Sequence, residues 1–244
     1  GGAGMLAELG VRFLDGEGQA VGTTPREVEG LASVDASGLD ARLTGLRVEV
    51  ACDVDNPLLG ERGASAVFGP QKGASPEDVD YLDSVLARWA RLSGRAGLAD
   101  LPGAGAAGGL GFALMAFLGA RLDPGVELVA RAVGLAEAVS GADLVLTGEG
   151  SVDAQTLAGK TPAGVARVAA AQGVPTVIVA GRVRPGAEVL LTTGCVALMS
   201  SSQGDVVPLA EVLRAAPQST ERATATVMRL WTHRSGPAGS AGPA

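Results

Sequence analysis

Residues 143–180 read DLVLTGEGSVDAQTLAGKTPAGVARVAAAQGVPTVIVA, and they set the fold class of the chain. Two short apolar runs, 143–147 and 175–180, flank a segment, 162–172, whose apolar residues recur at helical spacing. Strand, helix and strand in this order are typical of a βαβ unit, whose strands are parallel because the helix returns the chain to the same end of the sheet. The stretch therefore predicts a parallel α/β fold, and the run at 195–199 predicts another strand.

The rest of the chain predicts further α/β structure. Alternation along 46–52 indicates a strand that ends before Asp53. Ser75 and Pro76 are typical of a helix start, and apolar residues at helical spacing continue to Trp89. Further helices are predicted to begin near Gly4 and to span 110–118, 126–139, 211–214 and 220–231.

These elements predict an α/β protein of two units. The first, 1–122, is a mixed α/β unit, and the second, 123–233, contains the parallel strands. The tail, 234–244, has nothing to bury and is predicted to be disordered. Because the chain opens on GGAG without an initiator Met, we expect the first unit to be part of an incomplete domain.

Composition excludes several function classes. The formal charge is −7, from 26 acidic and 19 basic residues, and no basic run interleaves with aromatic residues, which argues against nucleic acid as a partner. Cys52 and Cys195 are far apart in apolar surroundings and predict buried free thiols. The lone His233 argues against a histidine triad or a zinc site. Neither a membrane span nor a leader is predicted, so we expect the cytoplasm.

Two polar stretches of the first half are candidates for chemistry. Asp53, Asp55 and Asn56 follow a strand, where α/β proteins bind ligands, so they could hold Mg²⁺ or orient a hydroxyl group. An Asx turn set by the Asn-Pro pair explains them equally well. Gln71 and Lys72 lie in a glycine-flanked loop beside a helix start, where Lys72 could contact a phosphate or a carboxylate or could be solvated.

The run PGAGAAGG at 102–109 contains the pattern G-x-G-x-x-G. A dinucleotide fingerprint also needs a strand directly before it, and 94–102 does not read as a strand, so a nicotinamide-dependent dehydrogenase is disfavoured. We expect the run to offer bare backbone amides to an anion at a helix N-terminus.

The polar part of the opening stretch is the third candidate. Residues 159–161, GKT, resemble the end of a P-loop, but Ala154 stands at the first glycine position and the motif begins about seven residues after the predicted strand. We instead expect Thr161 to cap a helix and Lys160 to lie at its positive end, with Glu149 and Asp153 facing the same loop. Acids and a lysine beyond a parallel strand suit phosphoryl transfer, and a solvated polar turn is the alternative.

Four stretches together resemble the bacterial glycerate kinase family: VACDVDNPLL (50–59), VFGPQKGA (67–74), PGAGAAGGL (102–110) and 143–160. The resemblance extends from Gly1 to about Trp231. It implies two α/β lobes, one of them Rossmann-like, with a site between them. It also implies phosphorylation of D-glycerate with ATP and Mg²⁺, more readily to 2-phosphoglycerate than to 3-phosphoglycerate.

On this resemblance we predict a set of site residues with three kinds of role. The catalytic residues are Asp53, Asp153, Lys72 and Lys160. The metal ligands are Asp55 and Glu149. Contacts to substrate or nucleotide come from Asn56, Gln71, Gly103, Gly105, Gly108, Gly109, Gln155 and Thr156.

The chain departs from the family pattern in two places. Family members carry a long segment before this point, including Asp-Ser-Phe-Lys-Gly and Ser-Ala-Thr-Asn-Asp stretches, and they usually have Arg where this chain has Ser151. The resemblance therefore implies a partial site. A non-catalytic α/β remnant or binding module is the alternative to a kinase, and the sequence does not predict the oligomeric state.

Overall fold

The computed structural model describes residues 1–202 and 208–234. The chain divides into two compact units, Gly1–Leu128 and Val129–Ala244, whereas the sequence placed the boundary between residues 122 and 123. The predicted tail lies outside the described residues except for Arg234. We describe each unit by itself.

Unit 1 is a mixed α/β unit. Strands β1 and β2 pair antiparallel, and strands β3 and β4 pair parallel. Short 3-10 helices lie at Ala41–Leu43, Pro70–Lys72 and Ala96–Leu98. The helices and strands are α1 (Ala3–Glu8), β1 (Arg12–Leu14), α2 (Pro25–Glu29), β2 (Ser33–Asp35), β3 (Glu49–Ala51), α3 (Ala64–Phe68), α4 (Pro76–Leu92), α5 (Ala106–Leu118), β4 (Arg121–Asp123) and α6 (Gly125–Ala132), within which the division falls.

The predicted start of α4 is confirmed. Ser75 accepts a hydrogen bond from the N–H of Asp78, and the Asp78 carboxylate accepts one from the N–H of Ser75. That backbone hydrogen bond holds the pKa of Asp78 below its ordinary value. The apolar face of α4 then places Trp89 in the core, where its ring stacks on Phe117 with centroids 5.7 Å apart.

Unit 2 contains the predicted parallel sheet. Its strands lie in the order β5-β6-β7, all parallel, and β5 is joined to β6 through helix α8, which confirms the βαβ prediction. Buried Val152, Ile178 and Leu190 form its core with small residues of α8. The elements are α7 (Leu135–Val139), β5 (Val145–Val152), α8 (Thr161–Ala171), β6 (Thr176–Val183), β7 (Cys195–Ser200) and α9 (Leu209–Arg234), with 3-10 helices at Ala154–Ala158 and Ala187–Thr192.

Strand lengths differ from the predictions. Strand β3 covers only Glu49–Ala51 of the predicted 46–52. Strand β5 was predicted at 143–147, but it continues to Val152 because it pairs with β6 along its whole length, so Glu149 lies in the strand and not in a turn. This pairing was invisible in the sequence because the second half of β5 is rich in glycine and polar residues.

Two helix predictions were wrong about where helices are interrupted. The helix predicted at 126–139 is broken, because Gly134 adopts a left-handed conformation with φ 65° between α6 and α7. The helices predicted at 211–214 and 220–231 form one helix, α9, which contains Pro217. A proline removes one backbone hydrogen bond, and the burial of Ala223 and Val227 holds the helix in place despite that loss.

The structure shows the state of the two cysteines and the length and polarity of the helices. Cys52 and Cys195 are both free, as predicted, although Cys52 is only partly buried. Burial raises the pKa of the Cys195 thiol above its ordinary value. Within 1–202 and 208–234, every helix is too short or too polar to cross a lipid bilayer.

Candidate functional site

The segment between β5 and α8 gathers polar residues of unit 2. The Asp153 carboxylate caps the 3-10 helix Ala154–Ala158 by accepting a hydrogen bond from the N–H of Gln155 at 3.0 Å. The same carboxylate lies 3.8 Å from the ammonium group of Lys160. The structure thus brings Asp153 and Lys160 together, as the sequence predicted. An anion bound near them would be attracted by the ammonium group of Lys160 and repelled by the carboxylate of Asp153.

Glu149 and Ser151 project from the second half of β5 with unusual environments. The Oε2 atom of Glu149 and the Oγ atom of Ser151 are both buried, and neither has a hydrogen-bond partner among the residues that the structure describes. Residues two apart in a strand share one face of the sheet, so these two side chains point the same way. A buried polar atom without a partner costs free energy, and a water, an ion or a ligand can complete it.

Ser151 was missed as a site residue by the sequence analysis, which noted it only as a departure from the family. The signal that could have found it is its spacing of two from Glu149. That spacing places both on one face, provided that the strand extends through them. Because the predicted strand stopped at residue 147, the spacing carried no structural meaning.

The resemblance of GKT to a P-loop finds no support in the backbone. The N–H groups of Gln155, Thr156, Gly159 and Lys160 all donate to oxygens of Asp153 or Thr156. A P-loop needs its N–H groups free to contact phosphate. The motif also begins two residues after β5, closer than the predicted seven, but its amides are engaged.

The start of α8 differs from the prediction in detail. Lys160, and not Thr161, is the residue that precedes the first helical turn, and it makes no side-chain capping bond. The predicted Thr161 cap was wrong because Thr161 already has helical geometry. Pro162 lies in the first turn as predicted, and Lys160 remains at the positive end of the helix dipole. The hydroxyl of buried Thr156 accepts a hydrogen bond from the Asp153 N–H at 3.1 Å, which is a structural role.

The polar residues after β3 have partners within unit 1. Asp53 accepts a hydrogen bond from the N–H of Gly125 at 2.8 Å, at the start of α6. Asp55 forms an exposed ion pair with Arg62 at 3.2 Å. The side-chain amide of Asn56 donates to the carbonyl of Arg62 at 2.8 Å. These residues therefore stabilise their loop, whatever further role they have.

Lys72 lies beside a cavity of unit 1. The cavity has a volume of about 340 Å³, and both Lys72 and Gly108 line it. Its walls are mainly apolar, with Phe68 and Trp89 among them. Lys72 and Gln71 lie in the 3-10 helix Pro70–Lys72 with exposed side chains. The structure thus places two predicted site residues of unit 1, Lys72 and Gly108, in the lining of one cavity.

The glycine run of unit 1 is closely packed against the loop after β3. A Cβ atom on Gly105 would lie 2.2 Å from the carbonyl oxygen of Pro57, and one on Gly103 would lie 2.6 Å from Leu122. Ala107, Gly108 and Gly109 adopt left-handed conformations before the regular part of α5 begins. The run therefore satisfies a packing requirement that the sequence pattern did not reveal.

The amides of this run are less available than predicted. The N–H groups of Ala104, Gly105, Ala106 and Gly109 donate to backbone carbonyl groups. Any amide contact to an anion would fall to other residues of the run.

The described residues include no group of three or more His, Cys, Asp or Glu side chains that could hold a metal ion. Mg²⁺ usually needs only one or two protein carboxylates, because water and substrate phosphates complete its coordination. Glu149 suits this role through its unpartnered Oε2 atom. Asp55 would first have to exchange Arg62 for the ion.

Unit 2 is a parallel α/β unit with acids and a lysine at the carboxyl end of β5, which is the end at which such sheets commonly bind ligands. The model of the glycerate kinase family matches residues 1–232. The chain is 45% identical over 225 residues to a glycerate kinase of Bacillus subtilis (strain 168), covering 91% of this chain and 59% of that protein. It is 47% identical to a glycerate 2-kinase of Escherichia coli (strain K12), covering 74% of this chain and 48% of that protein.

A solved structure agrees with these matches. The crystal structure of a provisionally assigned glycerate kinase 2 from Salmonella typhimurium LT2 matches with a TM-score of 0.79 and 42% identity. The match covers 96% of this chain and 62% of that one. The chain therefore belongs to the glycerate kinase family. It spans about half to six-tenths of the length of these relatives.

Proposed function

We propose that this chain carries part of the phosphoryl-transfer site of an ATP-dependent glycerate kinase that forms 2-phosphoglycerate. The names of the relatives support glycerate as the substrate, and the relative named glycerate 2-kinase supports transfer to the 2-hydroxyl group. The observation that carries the proposal is the buried Oε2 atom of Glu149, which has no hydrogen-bond partner among the described residues and belongs to β5, the strand that leads to the Asp153–Lys160 pair.

The proposed reaction needs a hydroxyl group to lose a proton and attack the γ-phosphorus of ATP. A new O–P bond forms, the bond between the γ-phosphorus and the bridging oxygen breaks, and ADP leaves. We assign acceptance of the hydroxyl proton, or orientation of that hydroxyl group, to Asp153. Lys160 contacts the phosphate or the glycerate carboxylate, since this cationic residue directly precedes the first turn of α8, at the positive end of the helix dipole.

Mg²⁺ would neutralise the negative charge of the transferred phosphate. Glu149 is the residue of unit 2 that we assign to the ion, because a buried carboxylate oxygen without a partner is a ready ligand. Lys72 and the glycine run of unit 1 are further proposed contacts to anionic groups. Asp53 stays a predicted catalytic residue of unit 1, and one of its oxygens accepts the Gly125 N–H.

The test is turnover with D-glycerate and ATP, followed by phosphorus NMR of the product. It uses the chain itself and a chimera in which the N-terminal segment of the Bacillus subtilis relative precedes Gly1. We expect glycerate-dependent ADP release from at least one of them, with the product phosphorylated at the 2-position. If neither releases ADP although both are folded, the kinase proposal is wrong and the chain is a non-catalytic binding module.

A further inference from the structure

A second cavity lies in unit 2, between the end of β7 and helix α9. It has a volume of about 520 Å³, and we call it the β7–α9 pocket. None of the site residues discussed above lines it. Its polar side chains are two arginines, one carboxylate, one amide and several hydroxyl groups, including Ser200, Gln218, Ser219, Glu221, Arg222 and Arg229.

The two arginines give the pocket a cationic wall. Arg222 and Arg229 are seven residues apart in α9, which is close to two helical turns, so they project from the same face. Arg222 donates one hydrogen bond to Ser219 at 3.0 Å, which leaves most of its five N–H groups for other acceptors. Neither arginine forms an ion pair with another residue in the described ranges. Guanidinium groups of this kind bind phosphate through paired hydrogen bonds.

The position of the pocket also favours a ligand site. Ser200 is the last residue of β7, and Ser201 follows it, so the pocket lies at the carboxyl end of a parallel strand. This is the side of an α/β sheet on which ligands bind. The volume lies within the range of small-molecule sites, about 300 to 1,000 Å³.

The carboxylate of Glu221 restricts the kinds of ligand that the β7–α9 pocket could bind. Glu221 lines the same pocket as the two arginines and would repel a bare polyanion. A carboxylate that accepts a ribose hydroxyl group is common where nucleotides bind. Two guanidinium groups and one carboxylate therefore suit a ligand that carries both phosphates and a sugar.

We propose that the β7–α9 pocket binds a nucleoside triphosphate, with its phosphates on Arg222 and Arg229 and a ribose hydroxyl group on Glu221. This assignment rests on the proposed function, because a kinase needs such a ligand. It goes further by locating the nucleotide in unit 2 and by naming α9 as the helix that holds it.

The test is calorimetric titration of the chain with ATP and, separately, with tripolyphosphate, in the absence of glycerate. We expect R222Q and R229Q to weaken ATP binding by about tenfold each, as loss of a charge-assisted hydrogen bond does. R214Q is the matched control, since Arg214 lies on α9 but does not line the pocket, and it should leave the affinity unchanged. Added salt should weaken binding to the parent and to R214Q.

E221Q separates a nucleoside ligand from a simple anion. It should weaken ATP binding and should leave tripolyphosphate binding unchanged or tighter. Equal ATP affinities in the parent, R222Q and R229Q would overturn the proposal, as would no ATP binding by the folded parent. Equal effects of every variant on both ligands would show a phosphate-anion pocket only, which also overturns it.

Folding and turnover are separated by two further measurements. Circular dichroism and thermal melting check each variant, and R222K replaces R222Q where the latter does not fold, because lysine keeps the charge but loses the paired donors. The titration needs no glycerate, so a chain that binds ATP in this pocket without forming phosphoglycerate contradicts the proposed function alone. A chain that turns over with unchanged kinetics in R222Q and R229Q contradicts the pocket assignment alone.

Discussion

Unit 1 and unit 2 each place two acids at or after a parallel strand, and they use those acids differently. After β3, Asp53 accepts the N–H of Gly125 and Asp55 pairs with Arg62. Along and after β5, Asp153 caps a turn beside Lys160, whereas the Oε2 atom of Glu149 is buried with no partner among the described residues. The acids of unit 1 stabilise their loop, whereas the Oε2 atom of Glu149 makes no such contact with the described residues.

This difference shows that the same sequence signal, acids next to a strand, can serve structure or chemistry. An acid whose oxygens are already bonded contributes to stability, and its replacement should lower the free energy of unfolding. A buried carboxylate oxygen without a partner lowers stability by about 1 kcal/mol or more, so its presence calls for a water, an ion or a ligand that completes it. The following predictions test this comparison from the largest expected effect to the smallest.

The glycine run gives the largest expected effect on the loop after β3. Gly105→Ala should lower the free energy of unfolding by about 3 kcal/mol, because the new Cβ atom would overlap the carbonyl oxygen of Pro57. Gly108→Ala is the matched control, since a Cβ there meets nothing within 4 Å and only its φ of 70° is unfavourable, at about 1 kcal/mol. Urea unfolding of both variants measures the difference, and equal losses would contradict the close packing.

Glu149→Gln should lower turnover by about hundredfold in whichever preparation releases ADP, because it removes the charged ligand proposed for the Mg²⁺ that would neutralise the transferred phosphate. Its free energy of unfolding should equal or exceed that of the parent by up to about 1 kcal/mol, since no hydrogen bond to the described residues is lost and a charge with an unpartnered buried oxygen is removed. Glu188→Gln, at an exposed position of the same unit, is the matched control and should change neither quantity. Unchanged turnover in Glu149→Gln would remove Glu149 from the site.

Asp53→Ala should lower the free energy of unfolding by about 1 kcal/mol, because it leaves the N–H of Gly125 without its acceptor. Asp53→Asn keeps an acceptor oxygen and should be nearly as stable as the parent. Asp55→Ala breaks only an exposed ion pair and should cost less than about 0.5 kcal/mol. An Asp53→Asn variant that is stable but inactive would support the catalytic role predicted for its carboxylate, whereas a stable and active one would leave Asp53 a structural residue.

Local patterns in the chain were enough to predict much of the fold. The capping residues Ser75 and Pro76 predicted the start of α4, because a helix cap depends on neighbours three residues away. The apolar runs around α8 predicted the parallel pairing of β5 and β6, because the helical return of a βαβ unit constrains strand direction. The proximity of Asp153 and Lys160 could also be predicted, because these two residues are close in the chain.

The sequence by itself therefore determined the α/β class, the main helices and the residues that could carry chemistry, because these depend on periodicity and on near neighbours. Only the tertiary structure decided which of those residues have partners. The Asp53–Gly125 bond joins residues 72 positions apart, and the extension of β5 through Glu149 depends on its pairing with β6. Whether an acid is satisfied or left for a ligand is a property of the space around it, and that space is built by residues far away in the chain.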